Sequence, residues 1–325
     1  MTSHDVFNGD ADGLCALHQL RLATPRDGIL VTGPKRDVRL LERVAAREGD
    51  VVTVLDISLD VNRAALAALL ARNVDVAWFD HHYPGEVPTH PRLSATIDTA
   101  PDVCTSMLVD RQLGGRFRAW AVVAAYGDNL RASAGRLAAT LALGATATTA
   151  LRRLGEALAY AGCGEREADL LVAPAELYRI LHRHTDPLRF AATEPVVRTL
   201  SDGARRDLAE ARTLAPAATR GRADVYELPD AAWSRRVASH FANDLANRSP
   251  TRANVVLAPG TGGAWWVSVR APLATPHGAA RLCRQFPDGG GRAAAAGING
   301  LPVSRVPEFL DALAAAFPAD TRGSA

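Results

Sequence analysis

The chain has 325 residues, 48% of them hydrophobic and 22% charged, which is the composition of a globular protein long enough for two domains. Its formal net charge of +2 excludes a strong field of either sign, so charge alone does not point to a nucleic-acid partner. The four cysteines form no C-x-x-C pair, the N-terminus is unlike a leader, and no apolar run reaches membrane-spanning length. We therefore predict a cytoplasmic protein without disulfides, a zinc ribbon or a membrane partner.

The first part of the chain alternates apolar runs with helical patterns, which predicts βαβ units. Strands are predicted over residues 5–7, 28–32, 51–55 and 74–79, and helices over residues 13–22, 38–48 and 61–72. A further apolar run over residues 119–126 is interpreted as a strand that ends at Gly127-Asp128. We therefore expect an α/β domain whose mostly parallel sheet carries helices on both faces.

The pattern becomes mainly helical beyond residue 137, and residues 211–222 lose apolar periodicity. A second, smaller α/β segment follows. Its predicted strands cover residues 224–228, 253–258 and 265–270, and its predicted helices cover residues 233–247, 277–286 and 306–317, with a hairpin turn at residues 260–263. We predict a first domain over residues 1–190, a helical linker over residues 191–222 and a second domain over residues 223–325.

Four acidic clusters follow predicted strands of the first domain. In chain order they are Asp10 with Asp12, Asp56, Asp80-His81-His82, and Asp128. The carboxyl ends of parallel strands form one crevice, and carboxylates gathered there repel one another unless cations neutralise them. Each cluster alone is also typical of a turn or a helix cap. The presence of all four clusters on successive strand ends predicts a metal site. A ligand set of mostly carboxylate oxygens with one or two imidazole nitrogens suits Mn²⁺ or another first-row divalent ion.

The order and spacing of these clusters resemble the DHH phosphoesterase superfamily. That superfamily includes RecJ-type single-strand exonucleases, small oligoribonucleases (nanoRNases), cyclic-dinucleotide phosphodiesterases and family II pyrophosphatases. The segment Asp10-Ala11-Asp12-Gly13 resembles its first motif, Asp56 its second, Asp80-His81-His82 its third and Gly127-Asp128 its fourth. The segments VSVR at residues 267–270 and GGGR at residues 289–292 resemble the recognition motifs of the DHH-associated domain. Residues 1–190 would then be the catalytic domain, and residues 223–325 the substrate-binding domain.

The resemblance also implies a role for each matching residue. The metal ligands would be Asp10, Asp12, Asp56, His81 and Asp128, with Asp56 bridging two ions. His82 would face the scissile phosphate, and Asp80 would hold an imidazole in the right tautomer. A terminal phosphate would be bound by Arg270, Gly289, Gly290, Gly291 and Arg292. The implied cofactor is Mn²⁺, as one or two ions, with Mg²⁺ and Co²⁺ as alternatives.

Position 8 departs from the pattern, because many superfamily members carry a histidine or a third aspartate ahead of the first-motif pair. Asn8 offers only a neutral oxygen and would be a weak ligand, so we expect the ion at Asp10 to be held more weakly. Lys35 is the only lysine of the chain and follows the predicted second strand. Its position is equally consistent with a phosphate contact and with a plain loop.

We predict a metal-dependent phosphodiesterase or exonuclease that hydrolyses short single-stranded RNA or DNA, or small nucleotides, with a metal-activated water. The short chain and its near-neutral charge favour short substrates over long DNA. Three alternatives stay open: a RecJ-like single-stranded DNA exonuclease, a cyclic-dinucleotide phosphodiesterase, and a catalytically impaired nucleic-acid-binding module. Cleavage polarity and oligomeric state also stay open, with a homodimer among the alternatives.

Overall fold

A computed structural model of the chain describes residues 1–319, apart from the side chain of Thr261. The chain divides into two compact units, Met1–Gly203 and Ala204–Ala325. The domain boundaries predicted at residues 190 and 222 stay a prediction. No helix in the described part of the chain is long and apolar enough to cross a membrane.

The first unit is built on a sheet of five parallel strands. These are β1 (Ser3–Asn8), β2 (Ile29–Gly33), β3 (Val51–Leu55), β4 (Asp75–Asp80) and β5 (Leu93–Ile97). Their order across the sheet is β2-β1-β3-β4-β5. Because strand residues alternate between faces, Val54 and Trp78 pack into one hydrophobic core, and Leu55 and Phe79 pack into another on the opposite face. The predicted α/β fold class is confirmed.

Nine helices of the described chain begin in the first unit. They are α1 (Ala11–Ala23), α2 (Arg63–Ala71), α3 (Thr105–Gln112), α4 (Arg118–Gly127), α5 (Arg131–Ala139), α6 (Ala145–Ala161), α7 (Pro174–Leu181), α8 (Pro187–Thr193) and α9 (Pro195–Ala211). Leu66, Leu69 and Leu70 of α2 belong to the core on one face of the sheet. The helices α1, α3, α4 and α6 contribute to the core on the other face, which places helices on both faces as predicted.

Two predicted elements of this unit are wrong, and one observed strand is absent from the prediction. Residues 119–126 form α4 rather than a strand, because a short apolar run fits a buried helix as well as a strand, and this run is rich in alanine. Residues 38–48 form only a 3₁₀ turn, Leu40–Arg43, where the Asn62 side chain binds the N–H of Leu41 and the carbonyl of Val38. Strand β5 was not predicted, since it is short and none of its residues is buried.

The second unit contains a six-stranded sheet. Its strands are β6 (Ala218–Arg220), β7 (Ala223–Glu227), β8 (Ala253–Pro259), β9 (Ala264–Arg270), β10 (Gly289–Gly291) and β11 (Ala295–Pro302). Their order is β10-β11-β9-β8-β7-β6, and only the β7–β8 pair is parallel. The helices are α10 (Ala232–Arg248), α11 (Ala279–Cys283) and α12 (Val306–Ala316). The predicted hairpin joins β8 to β9, where Gly262 and Gly263 adopt φ angles of +68° and +74° that glycine accepts without strain.

Candidate metal centre

Three of the four acidic clusters lie at the carboxyl ends of neighbouring strands. Asp10 follows β1, Asp56 follows β3, and Asp80 ends β4 immediately before the two histidines. The fourth prediction is corrected, because Asp128 lies at the C-terminal end of helix α4 and not at the end of a strand. Gly127 allows this helix end to approach the start of α1, since a Cβ atom there would lie 2.4 Å from the Cβ of Ala11.

His81 stands between two carboxylates of this cluster. Its Nε2 lies 3.5 Å from Asp56 Oδ1 and 3.6 Å from Asp128 Oδ2. His81 is therefore shared by two groups that could each hold a metal ion, one with Asp56 and His82 and the other with Asp12 and Asp128. Within each group the ligand atoms lie within 4.8 Å of one another. The structure thus brings together five of the seven residues that the resemblance places at the metal centre or beside it.

The two imidazoles are held in defined tautomers. His81 Nδ1 donates to the carbonyl oxygen of Val103 at 2.9 Å, and His82 Nδ1 donates to Asp80 Oδ1 at 2.7 Å. Because a carbonyl and a carboxylate only accept, both Nδ1 atoms carry a hydrogen and both Nε2 atoms remain available. Asp80 Oδ1 also accepts the N–H of His81, so this buried carboxylate fixes the dipeptide as well as one ring.

Asp10 and Asp12, two residues apart, do not share the same backbone conformation. Asp10 is the extended N-cap of α1, whereas Asp12 lies within the helix, because the Asp10 carboxylate caps the N–H groups of Asp12 and Gly13 and starts the helix there. The two carboxylate oxygens of Asp12 accept the N–H groups of Thr105 and Ser106, each at 2.7 Å. The N-terminus of α3 therefore orients Asp12, a role that spacing along the chain did not reveal.

Asp56 has an unusual backbone conformation. Its φ angle of +59° lies in the left-handed region that side chains other than glycine, asparagine and aspartate seldom adopt. Its N–H donates to the carbonyl of Phe79, and its carboxylate accepts the Thr105 hydroxyl at 3.3 Å. This backbone conformation and these two hydrogen bonds keep the buried carboxylate at the centre of the cluster.

The cluster is short of positive charge. Burial, followed by the charges of Asp12 and Asp10, raises the pKa of Asp56 well above its usual range. Burial and the charge of Asp12, only partly opposed by Lys35, raise the pKa of Asp128 to about 6. Burial opposes the charge on His81, yet its hydrogen bond to Asp56 and the surrounding carboxylates raise its pKa to about 10. The cluster therefore draws a proton to the place between Asp56 and Asp128 where a cation would be held.

The residues present fit a first-row divalent ion. The available donors are carboxylate oxygens and imidazole nitrogens, which suit Mn²⁺. The nearby thiol of Cys104 is not among them, because burial and then the charge of Asp12 raise its pKa well above the usual value and keep it protonated. Asp56, His81, Asp128 and Asp12 would hold the ion, with His82 at its edge.

One charged residue of the cluster, Lys35, is left open by the sequence prediction between a phosphate contact and a plain loop. The Lys35 Nζ lies 2.5 Å from Asp10 Oδ2 and 3.6 Å from Asp128 Oδ1, while half of its side-chain surface remains exposed. The charge of Asp10 raises the pKa of Lys35 well above its usual value, against the effect of burial. Asn8, predicted as a weak ligand, is buried and contacts the carbonyl oxygen of Lys35 through its Nδ2 at 3.5 Å.

The residues predicted to bind phosphate lie in the second unit. Arg270 ends β9 and donates from Nε to Asn243 Oδ1 at 2.7 Å. The three glycines form the edge strand β10, paired antiparallel with β11, rather than a loop. Exposed Arg292 follows them, and its N–H donates to the carbonyl of Ala295, the residue that pairs with Arg270 across the sheet. Arg270 at the end of β9 and Arg292 in the turn between β10 and β11 are therefore both neighbours of Ala295.

No family model and no curated protein matches this chain. Several solved structures, however, match its fold. A RecJ exonuclease bound to manganese matches with a TM-score of 0.63 at 21% identity, over 100% of this chain and 92% of that one. RecJ from Thermus thermophilus in complex with Mn²⁺ matches with a TM-score of 0.61 at 23% identity, and this chain spans about half of it, 53%.

The pGpG-specific phosphodiesterase PggH from a Vibrio species matches with a TM-score of 0.57 at 15% identity, over 98% of this chain and 100% of that one. The fold implied by the sequence resemblance is therefore confirmed, since this chain has the fold of RecJ and of PggH across both of its units.

Proposed function

We propose that this chain is a Mn²⁺-dependent phosphodiesterase or exonuclease that hydrolyses short single-stranded oligonucleotides or small nucleotides. One observation carries the proposal: His81 Nε2 stands between Asp56 and Asp128 in a buried cluster that is short of positive charge. Such a centre at the ends of parallel strands is suited to binding a divalent ion and a phosphate together.

When bound, Mn²⁺ would supply a Lewis acid and a lower pKa for a coordinated water. The residues of the chain have separate tasks around it. Asp56, Asp128 and His81 provide ligand atoms, and the Val103 carbonyl keeps the lone pair of His81 on Nε2. His82 keeps its Nδ1 hydrogen bonded to Asp80 and leaves Nε2 available to the substrate. Its side chain is 46% exposed and so can be reached.

Short substrates are favoured by two features. The chain has a net charge of only +2, whereas binding of long strands depends on many phosphate contacts. The fold is also that of PggH, whose name specifies the dinucleotide pGpG, over the whole length of that protein. In the second unit, Arg270 and Arg292 would bind a terminal phosphate, which a short oligonucleotide and the end of a long strand both carry.

A RecJ-like single-stranded DNA exonuclease is the second candidate. The likeness to the manganese-bound RecJ exonuclease covers 92% of that chain, so a protein of comparable length carries that name and chain length does not argue against the activity. The cyclic-dinucleotide phosphodiesterase and the impaired binding module remain as further outcomes of the same experiment.

The experiment is a panel of substrates tested with Mn²⁺ and with EDTA. It contains a pentanucleotide RNA, the matching DNA, long single-stranded DNA, pGpG, a cyclic dinucleotide, a nucleotide 3′,5′-bisphosphate and pyrophosphate. Asp56→Ala should abolish Mn²⁺-dependent hydrolysis, while Asp60→Ala, an exposed aspartate four residues away, should leave it unchanged. Circular dichroism of both variants checks the fold. Full activity of Asp56→Ala, or the same activity with EDTA, would refute the proposed function.

A further inference from the structure

The amino group of Lys35 lies where the sequence prediction places a second metal ion. Asp10 is the predicted ligand of that ion, and both of its oxygens are already used: Oδ1 caps α1 and Oδ2 pairs with Lys35. Among the described residues, neither group of potential metal ligands includes Asp10. A second ion could bind Asp10 only by displacing the lysine.

The backbone of Lys35 is fixed beside Asp10 by contacts on both sides. Its N–H donates to the carbonyl of Gly162 at 2.8 Å, and its own carbonyl lies 3.5 Å from the Asn8 amide nitrogen. Gly162 in turn packs directly on Asp10, since a Cβ atom there would lie 2.9 Å from the Asp10 Cβ. The asparagine that replaces a charged ligand therefore contacts the segment that delivers the lysine.

The presence of lysine rather than arginine at position 35 also supports this role. Lysine and arginine number 37 in this chain, and the only lysine is at this position. An ammonium is a compact point charge with three donors, whereas a guanidinium is a broad planar fork. A compact cation 2.5 Å from one carboxylate and 3.6 Å from another occupies a space closer to that of a metal ion than a guanidinium would, with one positive charge in place of two.

We propose that the Lys35 ammonium replaces the second divalent ion, so that the centre binds a single Mn²⁺ at His81 and Lys35 supplies the other positive charge facing the substrate phosphate. The proposal rests on the proposed function for the presence of the first ion. Because half of the lysine side chain is exposed, its free N–H donors can reach a phosphate oxygen without leaving Asp10. Lys35 would stabilise the charge that develops on that phosphate, as a preorganised donor does.

Metal stoichiometry tests this without any substrate. The full chain is freed of metal with EDTA, and Mn²⁺ binding is followed by equilibrium dialysis and by the electron paramagnetic resonance spectrum of the bound ion. We expect one ion in the wild type, with the spectrum of an isolated Mn²⁺, and a second ion in Lys35→Met, coupled to the first at a separation of about 4 Å. Asp10→Asn should still bind one ion.

The control is Arg39→Met, which removes an exposed cation four residues along the chain and should keep both stoichiometry and activity. At a Mn²⁺ concentration that fills only the site at His81, Lys35→Met should lower kcat/KM about 100-fold, the usual effect of losing one preorganised donor. Two ions in the wild type, or the loss of an ion in Asp10→Asn, would overturn the role of Lys35 and leave the proposed function standing. One ion in Lys35→Met with unchanged activity would likewise overturn the role of Lys35 and leave the proposed function standing. No bound ion in the wild type would instead refute the proposed function itself.

Discussion

Acid should destabilise the first unit through His18, a fully buried histidine of α1. Its Nε2 donates to the carbonyl of His184 at 2.8 Å, its Nδ1 lies 3.3 Å from the Nδ1 of His182, and its ring packs edge-on against Trp120. Burial, only partly opposed by the His184 carbonyl, lowers the pKa of His18 from 6.5 to about 3. The folded protein therefore keeps His18 neutral at a pH at which the unfolded chain would protonate it.

The sign of the effect follows from that difference. A histidine whose pKa is lower in the folded state contributes its full stability above pH 6.5 and loses it as the pH falls toward 3. At pH 5 the unfolded chain gains about 2 kcal/mol from protonation of this one group, since one pKa unit corresponds to about 1.4 kcal/mol. The value hardly depends on the folded pKa, provided that it lies well below 5.

The assay is urea unfolding followed by tryptophan fluorescence, at neutral pH and at pH 5, for the wild type and for His18→Leu. Leucine is apolar, of similar size and does not titrate, so it removes the proton without opening a large cavity. Between the two pH values the wild type should lose about 2 kcal/mol more of its free energy of unfolding than the variant. Parallel losses in the two proteins would show that His18 is not held neutral by burial.

Three further predictions concern the candidate site. Asp80→Asn should lower kcat about 10- to 100-fold with little change in Mn²⁺ affinity, because it disturbs the His82 tautomer and not a ligand; an unchanged kcat would contradict this. Gly127→Ala should weaken Mn²⁺ binding and cost roughly 1–3 kcal/mol in chemical unfolding, since its methyl group would meet the Cβ of Ala11 at 2.4 Å. Arg292→Ala should raise KM about tenfold for substrates with a terminal phosphate and leave kcat unchanged. As a control, the wild type and the variant should have equal KM for substrates that lack that phosphate.

The features of the fold that depend on local sequence pattern can be predicted from the sequence. Apolar runs such as Val51–Leu55 predict buried strands, and carboxylates directly after them predict the crevice where they gather. The sequence predicts a strand before Asp128, because eight apolar residues before a glycine do not distinguish a strand from a buried helix. The hydrogen bonds from Thr105 and Ser106 to Asp12 join residues more than ninety positions apart, and no spacing rule along the chain predicts them.

The contact between Lys35 and Asp10 depends on the order of the strands in the sheet. It is 25 residues from Asp10 in sequence, and β2 could in principle have paired at either edge of the sheet. Because β2 pairs with β1, the segment after β2 returns beside the start of α1.

Across the sheet, the strand ends thus present Lys35 after β2, Asp10 after β1, Asp56 after β3 and the two histidines after β4. The Lys35 ammonium lies at the Asp10 end of this row, 3.6 Å from Asp128, and His81 lies at the β4 end. If the second ion were bound at Asp10, the ammonium would face that ion across one shared carboxylate, and two cations there would repel each other. The lysine that this strand order places beside Asp10 therefore favours one divalent ion over two.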